Sequence, residues 1–273
     1  MILIAGGTGR LGTVLVNRWV DRGEQVRVLT RDPRRAAHLP PVEVVRGDVR
    51  DPEAVATAVR GADAVVSAVH GFTGWRQSPA SVDREGNRNL ITAAAGAGAH
   101  VVLLSVVGAS AQHPLELFRM KAAAEEVLRT SGATWAIVRA AAFRELYEEL
   151  VRRSAGRSGR PLVFGRGGNP ILFATVGEVA DAVDRGLTCR DQVIEVRGEV
   201  LTFEELAAGL EPELGSGARR PRHVPRPVLR GMALARGTPP GRQAAAALVM
   251  DTEDMVGAGL GPTSASAPSG SGG

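Results

Sequence analysis

Short, continuously apolar runs alternate along the first half of the chain with segments that carry apolar residues at helical spacing. The runs MILIA, QVRVLT, ADAVVSAV, HVVLLSVV and TWAIVR are interpreted as strands, with helices such as RLGTVLVNRWVDRG and DPEAVATAVRG between them. Strands that are apolar at every position are typical of a parallel sheet covered on both faces. The alternation therefore predicts an α/β fold, a doubly wound Rossmann sheet of about seven parallel strands joined by right-handed crossovers.

This alternation breaks after Arg139, where shorter elements follow one another without a regular period. We expect them to form a small C-terminal substrate-side lobe that cannot be separated from the sheet. Residues 1–256 would then make one domain, with a cofactor part (1–140) and a substrate lobe (141–256). Residues 257–273 consist mostly of Gly, Ser, Ala and Pro and are predicted to be disordered.

Composition narrows the class of protein without indicating a function. The 273 residues are 44% apolar and 23% charged, which is ordinary for a globular domain. No apolar stretch is long enough to span a bilayer, the first residues lack a signal-peptide pattern, and the single Cys189 excludes an internal disulfide and a cysteine-based zinc site. We expect a cytoplasmic monomer or homodimer that contacts no membrane and binds no metal.

The basic character of the chain is confined to one segment. Residues 211–243 hold seven arginines and two glutamates, a balance of +5, whereas the whole chain carries +4, which leaves −1 for the remainder. The segment has no interleaved aromatic residues and matches no nucleic-acid-binding module. We interpret it as a solvated connector and predict a small-molecule partner rather than a nucleic acid.

Three glycines directly follow the first strand and open the first helix in AGGTGRLG. Gly6 permits a tight turn, Gly9 lets the backbone approach a pyrophosphate, and Gly12 lets the helix pack closely against the sheet. Because N–H groups at a helix N-terminus bind phosphates, this loop predicts a dinucleotide site. The residues expected to form it are Gly6, Thr8, Gly9, Arg10, Leu11 and Gly12.

The end of the second strand selects the dinucleotide, since an acidic residue there binds the ribose of NAD and an arginine accommodates the 2′-phosphate of NADP. Arg31 is the first residue past the strand. Asp32 could instead bind the ribose, but Asp32 followed by Pro33 is explained as the start of a short helix. We therefore predict NADP(H), held in part by Arg31. The positions after the third and fourth strands complete the expected adenosine site: Asp48, which could equally cap a helix, Val49, Ala68 and Val69.

Several motifs together resemble the NmrA-like branch of the atypical short-chain dehydrogenase/reductases, which includes NAD(P)H-binding quinone and triphenylmethane reductases. The matching stretches lie between residue 2 and about residue 183 and include IAGGTGRLG, VLTRDP, GDVRDPEAV, VVLLSVVGAS and KAAAEEVLRTSGATWAIVR. The resemblance implies an NADPH-dependent reductase of a conjugated, aromatic or quinonoid molecule. It leaves two alternatives: an NADP(H)-sensing regulator without turnover, and a non-redox catalyst such as a cyclase or dehydratase on the same fold.

The resemblance also assigns roles around Lys121, the only lysine in the chain. Short-chain dehydrogenases carry a Tyr-x-x-x-Lys pair on this helix and a serine at the end of the preceding strand. Lys121 stands in place of the lysine, which binds the nicotinamide ribose, and Ser105 stands approximately in place of the serine. Leu117 occupies the register of the tyrosine and can neither donate nor accept a proton. The opposing interpretation is that Lys121 is one more surface charge.

Another group must then supply the proton in place of the tyrosine. His113, on the loop before this helix, lies at the carboxyl edge of the predicted sheet and has an ordinary pKa suited to acid–base work, although it could be a simple exposed loop residue. His70, just beyond the fourth strand, is a weaker candidate. The residues expected to face the substrate are His70, Leu117, Phe143 and Tyr147.

Overall fold

The computed structural model describes residues 1–156, 159–196, 198–214, 221–235, 237–253 and 255–256. The segment 257–273, predicted to be disordered, lies outside the described residues. The strands are β1 (Ile2–Ala5), β2 (Val26–Thr30), β3 (Glu43–Arg46), β4 (Ala64–Ser67), β5 (His100–Val106), β6 (Trp135–Ala140), β7 (Ala142–Phe143), β8 (Leu162–Phe164), β9 (Ile171–Ala174), β10 (Gln192–Glu195), β11 (Glu199–Leu201) and β12 (Arg222–Val224).

The helices lie between these strands and in the C-terminal part. They are α1 (Arg10–Asp21), α2 (Pro52–Val59), α3 (Asn87–Gly96), α4 (Glu116–Arg129), α5 (Arg144–Ala155), α6 (Val176–Gly186), α7 (Phe203–Gly209), α8 (Glu211–Leu214), α9 (Arg226–Ala233) and α10 (Pro239–Met250), together with a 3-10 turn (Pro33–Ala36) and a π-helical segment (Ala80–Gly86).

Seven parallel strands form the central sheet, in the order β3-β2-β1-β4-β5-β6-β10. The order reverses between β1 and β4, and the carboxyl edge at such a reversal is where doubly wound sheets bind their ligands. The predicted fold class and the expected number of parallel strands are confirmed.

Helices cover both faces of the sheet, which explains why its inner strands are largely apolar, whereas the edge strands β3 and β10 are mostly exposed. On one face α1 and α6 bury Leu15, Trp19 and Val183 against the strands. On the other face α2, α3 and α4 bury side chains that include Val55 and Leu90. The apolar cores lie on either side of the sheet, so the carboxyl edge above them is held by rigid elements.

The lobe beside this edge is built from short elements. Strands β11, β9 and β7 form one small sheet and β12 pairs with β8. Its apolar cluster includes Ile171, Phe173, Leu206 and Met250. However, α6 and β10, which the sequence analysis assigned to the lobe, belong to the main body, because α6 packs on α1 and β10 pairs with β6. The chain thus crosses back to the sheet after residue 140.

The basic segment is more ordered than a solvated connector. Its described residues form α8, β12, α9 and the start of α10. Arg242 is buried and donates hydrogen bonds to the carbonyl oxygens of Phe72 (2.9 Å), Gly74 (2.7 Å) and Gly237 (3.1 Å). One of the seven arginines therefore ties the C-terminal helix to the loop that follows β4, which corrects the earlier interpretation of the segment.

Candidate functional site

The loop between β1 and α1 has the backbone shape that its glycines predict. Gly6 has a φ of +93°, and a Cβ atom there would lie 2.5 Å from the carbonyl oxygen of Ala68. A Cβ atom at Gly12 would collide with the carbonyl oxygen of Gly6, and Gly9 donates its N–H to that same oxygen at 3.0 Å. Larger residues would push the loop, α1 and the end of β4 apart.

Helix α1 begins at Arg10 with free backbone donors. Gly9 is the N-cap, no side chain caps the first turn, and the first turn holds no acidic residue. The first N–H groups of a helix have no partner within the helix, and the helix dipole favours an anion there. This end of α1, at the β1–β4 reversal, suits a pyrophosphate. The Arg10 guanidinium meanwhile pairs with the Glu149 carboxylate of α5, so the lobe reaches the phosphate loop.

Asp32 has the capping role that the sequence predicts. Asp32 caps the 3-10 turn, where its carboxylate accepts hydrogen bonds from Arg34 N (3.2 Å) and Arg34 Nε (3.0 Å). The hydrogen bond from the Arg34 side chain holds the pKa of Asp32 below its ordinary value. Arg31 is exposed past the end of β2, and Gln77 accepts from its guanidinium when the amide oxygen of Gln77 is turned toward it. A contact of Arg31 with a 2′-phosphate stays a prediction.

The neighbouring adenosine positions are partly engaged by the protein. Asp48 accepts hydrogen bonds from Arg50 N (3.0 Å) and Arg50 Nη2 (2.7 Å), and the Arg50 side chain lowers the pKa of Asp48. Val49 is buried, and its carbonyl oxygen accepts a hydrogen bond from Asn89 Nδ2 at 2.9 Å. Ala68 and Val69 follow β4 beside Gly6. A contact of these residues with an adenosine stays a prediction.

Lys121 lies inside the protein, which excludes the interpretation of a solvated surface charge. Its side chain is 4% exposed. Nζ donates to the carbonyl oxygens of Val69 (3.0 Å) and Leu104 (2.9 Å) and lies 3.0 Å from Asp83 Oδ1. That carboxylate oxygen accepts no well-angled hydrogen bond within the described residues, so the third contact is an ion pair. Two of the three N–H groups of the ammonium are taken by carbonyl oxygens, and the Asp83 carboxylate balances its charge. Binding of the nicotinamide ribose by Lys121 stays a prediction.

Asp83, the partner of Lys121, is held by the π-helical segment. Its carboxylate is fully buried, and Oδ2 accepts the N–H of Gly71 at 2.8 Å. Asn87 donates to the Asp83 carbonyl oxygen (2.7 Å) and accepts from the Ser67 hydroxyl (2.5 Å). The sequence analysis missed Asp83. The signal was present, because Asp83 and Asn87 lie on the same helical face as the buried Leu90, and a polar residue on an apolar face needs a partner.

Ser105 is also engaged away from the expected substrate position. Its hydroxyl donates to Glu125 Oε1 at 2.5 Å. Glu125 is 1% exposed and accepts further hydrogen bonds from Arg139 (2.8 Å) and Arg129 (2.8 Å). Burial opposes ionisation, but the hydrogen bonds from Arg139, Ser105 and Arg129 outweigh it and lower the pKa of Glu125. The hydroxyl of Ser105 is therefore part of this network, and a catalytic role for it stays a prediction.

The two candidate histidines differ in how they are held. His113 is half-buried and stacks on Phe118 with ring centroids 4.0 Å apart, and its Nδ1 accepts the N–H of Leu115 at 3.1 Å. Burial lowers the pKa of His113. His70 reaches solvent just after β4, although surrounding protein crowds it. That crowding lowers the pKa of His70, while Asp83 acts to raise it and Lys121 to lower it.

The remaining pocket candidates are apolar. Tyr147 belongs to the core of the lobe, where it packs against Phe173 (5.6 Å) and Phe203 (5.4 Å) and burial raises its pKa to about 12. A phenol with that pKa is a poor acid near neutral pH. Phe143 packs at the margin of the main core, and Leu117 is half-buried one turn before Lys121. None of these side chains replaces the missing tyrosine.

Two cavities in the described part of the chain lie away from the phosphate loop. One, of about 290 Å³, is in the lobe, where its arginines and glutamates pair with one another, for example Arg144 with Glu148. The other, of about 280 Å³, lies at the opposite edge of the sheet beside Trp19.

The described residues contain no group of three or more His, Cys, Asp or Glu side chains that could hold a metal. Nor does any helix among them have the length and apolarity to cross a bilayer.

Comparison with known proteins identifies the family. Residues 6–161 match the NAD(P)H-binding family, and the chain belongs to it. An NAD(P)H azoreductase from Xenophilus azovorans is 28% identical over 229 residues, which are 80% of this chain and 76% of the azoreductase. The photosystem II assembly factor Ycf39 of Synechocystis is 31% identical over 147 residues, 53% of this chain but only 45% of the factor.

Solved structures show the same fold. The NADPH-dependent quinone oxidoreductase QOR2 from Escherichia coli, complexed with NADPH, superimposes with a TM-score of 0.74 at 23% identity, covering 92% of this chain and 89% of the other. The triphenylmethane reductase of a Citrobacter species, complexed with NADP(H), gives a TM-score of 0.73 at 22% identity with the same coverage. The resemblance is confirmed at the level of the NAD(P)H-binding family and of the fold, and the azoreductase relative supports an NAD(P)H oxidoreductase.

Proposed function

We propose that the protein is an NADPH-dependent reductase of a conjugated, aromatic or quinonoid small molecule. One observation carries the proposal: an uncapped, acid-free phosphate loop opens at the β1–β4 reversal beside an exposed Arg31. The family supports the cofactor class, and the azoreductase relative supports an extended π-system as acceptor. NADPH bound there would supply a hydride.

The apolar Leu117 fits an acceptor of this kind. A saturated carbonyl substrate develops charge on one oxygen, so it needs an acid held at a single fixed point. A quinonoid or azo acceptor spreads the added charge over its conjugated system and is less dependent on such an acid. Leu117 in the tyrosine register would instead present an apolar surface to a flat substrate.

The preference for NADPH is tested at Arg31. Arg31→Ala should weaken the binding of NADPH by roughly 1.5–3 kcal/mol, because the 2′-phosphate would lose its hydrogen bonds to the guanidinium. This is the scale of a hydrogen bond to a charged group. NADH should bind nearly as before. Calorimetric titration of both cofactors measures this, with Arg60→Ala as control, since Arg60 is exposed at the end of α2 near the opposite edge. Equal losses for the two cofactors would mean that Arg31 does not select NADP.

Turnover is tested by NADPH oxidation with a panel of quinones, azo dyes and triphenylmethane dyes. We expect at least one acceptor to be reduced, and we expect Gly6→Val to abolish the reaction, because a side chain there collides with Ala68. The alternative is an NADP(H)-sensing regulator, which the match to an assembly factor favours. Tight NADPH binding with no reduction of any acceptor would support the regulator.

A further inference from the structure

The peptide groups on both sides of His70 are hydrogen-bonded to one buried ion pair. Before it, the carbonyl oxygen of Val69 accepts a hydrogen bond from Lys121 Nζ at 3.0 Å. After it, the N–H of Gly71 donates to Asp83 Oδ2 at 2.8 Å. Lys121 Nζ and Asp83 Oδ1 are themselves 3.0 Å apart. His70 is thus the one residue that sits between the two peptide groups held by the pair.

These hydrogen bonds connect residues 69–71 to the main body of the protein. Lys121 belongs to α4 and also donates to Leu104 of β5 at 2.9 Å, and Asp83 belongs to the π-helical segment that precedes α3. Both charged side chains are buried. If either moved away it would lose its partner, and no water would replace that contact. Although β4 ends at Ser67, residues 69–71 are therefore fixed relative to β4 and β5.

His70 lies at the carboxyl edge of the sheet, two residues from the contact between β4 and the phosphate loop. Ala68, two residues earlier, contacts the phosphate loop closely enough to exclude a side chain at Gly6. His70 itself is exposed at this carboxyl edge. Protein crowding lowers its pKa, and of the charged groups that face it Asp83 raises the pKa and Lys121 lowers it. The lowered pKa favours the neutral imidazole and makes the imidazolium a better proton donor than an exposed one.

We propose that His70 is the proton donor that takes the place of the missing tyrosine, and that Lys121 and Asp83 are its positioning residues. This inference rests on the proposed reductase function. The acceptor gains a hydride, with its electron pair, from NADPH. His70 takes up one proton from solvent, the imidazolium gives that proton to the reduced oxygen or nitrogen, and the imidazole returns to its neutral form. The reduced acceptor has then gained two hydrogens, and NADP⁺ is released.

His113 is the rival for this role, and its surroundings favour His70. The Nδ1 of His113 is occupied by the N–H of Leu115, and its ring is stacked on Phe118, so only one ring nitrogen is available. Arg119 Nη1 donates to the carbonyl oxygens of His113 (2.6 Å) and Pro114 (2.8 Å), so a half-buried arginine holds this loop, whereas a fully buried ion pair holds residues 69–71. A proton donor must be held within hydrogen-bond reach of its acceptor, and the structure builds that restraint around His70.

The test compares the pH dependence of turnover for four proteins. Wild type, His70→Asn, His113→Asn and His223→Asn are assayed with saturating NADPH and a quinone that wild type reduces. His223, in the lobe strand β12, is the control. We expect His70→Asn to lower kcat by about 100-fold, the low end for loss of a general acid, and to remove the pH dependence, with the affinity for NADPH unchanged. In a separate experiment on a fifth protein, His70→Ala, imidazole added to the buffer should restore part of the lost activity.

The positioning role has a separate readout. Asp83→Asn keeps an oxygen for the Gly71 N–H but removes the negative charge that raises the pKa of His70, so the pH profile should shift to lower pH. An unshifted profile overturns the positioning role. The proposal for His70 is overturned if His70→Asn keeps the kcat and pH profile of wild type, or if only His113→Asn loses them. Either result leaves the proposed reductase function intact. A wild type that binds NADPH but reduces no acceptor overturns both.

Discussion

At the scale of single residues, the buried pair of Lys121 and Asp83 makes each charge depend on the other. Lys121→Met would leave the Asp83 carboxylate buried without an opposite charge, so we expect the free energy of unfolding to fall by about 3–5 kcal/mol. Lys121→Arg should also be destabilising, because a planar guanidinium does not fit the space in which an ammonium meets two carbonyl oxygens and a carboxylate. Denaturant unfolding followed by circular dichroism measures both losses.

A double variant separates this pairing from a simple loss of packing. Lys121→Met with Asp83→Leu removes both charges, and the combined loss should be smaller than the sum of the two single losses. Arg88→Met is the control, because Arg88 is an exposed cation whose ion pair with Glu85 should contribute no more than about 1 kcal/mol. Strictly additive losses at residues 121 and 83 would show that the two charges are not coupled.

The same residues show what a sequence can reveal about a site. A single lysine among many arginines marks Lys121 as special, and the family pattern marks its helix as functional. Its partners could not be found in this way, because two of them are backbone carbonyls of Val69 and Leu104 that carry no residue-type signal. By contrast, the phosphate loop and the capping role of Asp32 were predictable, since both depend on local backbone requirements of named residue types.

At the scale of elements, the Glu125 network joins α4 to β5 and β6 and should make stability depend on pH. The folded protein lowers the pKa of Glu125 below its ordinary value of 4.5, so the unfolded chain binds more protons. The contribution of this network to the free energy of unfolding is therefore complete above about pH 4.5. It is lost as the pH falls through the pKa of Glu125 in the folded protein. We expect Glu125→Gln to be less stable by about 2 kcal/mol near pH 7, less than for a fully buried pair because both arginines reach solvent.

Urea unfolding near pH 7 and near pH 4 tests this dependence on Glu125. Wild type should lose more stability on acidification than Glu125→Gln, because the variant has no carboxylate to protonate at this position. Glu126→Gln is the matched control, since Glu126 is exposed on the same helix. If Glu125→Gln and wild type lost equal stability between the two pH values, the network would not be the source of the dependence.

Element boundaries in the main body were predictable because the helical and strand periods are strong there. The stretch SVDREGNRNLITAAAGAG has a helical pattern and forms a helix, but its first part is π-helical and α3 begins only at Asn87. Periodicity does not distinguish a π-helical turn from an α-helical one. The wider turn depends on the buried contacts of Asp83 and Asn87 with Gly71 and Ser67, which are remote in the sequence.

At the scale of the whole molecule, the lobe was harder to predict than the sheet. Strands β7, β8 and β11 have two or three residues each, too few to show a period, and their pairing joins distant parts of the chain. For the same reason β10 was assigned to the lobe although it completes the main sheet beside β6. What joins the lobe to the cofactor side is side-chain chemistry, through Arg242 at the loop after β4 and through Glu149 at the phosphate loop.

The contact at Glu149 should reduce the affinity for the cofactor. Its carboxylate pairs with Arg10 at the N-terminus of α1 and with Arg153 on its own helix. A pyrophosphate at this N-terminus would compete with Glu149 for Arg10 and be repelled by it. We expect Glu149→Gln to bind NADPH more tightly by about 0.5–1 kcal/mol, the scale of a partly exposed ion pair.

Calorimetric titration at low and high salt distinguishes this electrostatic effect from a change in shape. The gain in affinity should shrink as salt screens the charges, because both side chains are partly exposed. Glu53→Gln, an exposed glutamate at the start of α2, removes the same charge from a helix that does not adjoin the phosphate loop and should change the affinity little. Weaker binding by Glu149→Gln would instead mean that the ion pair orients Arg10 for the cofactor, and that the lobe assists binding at the phosphate loop.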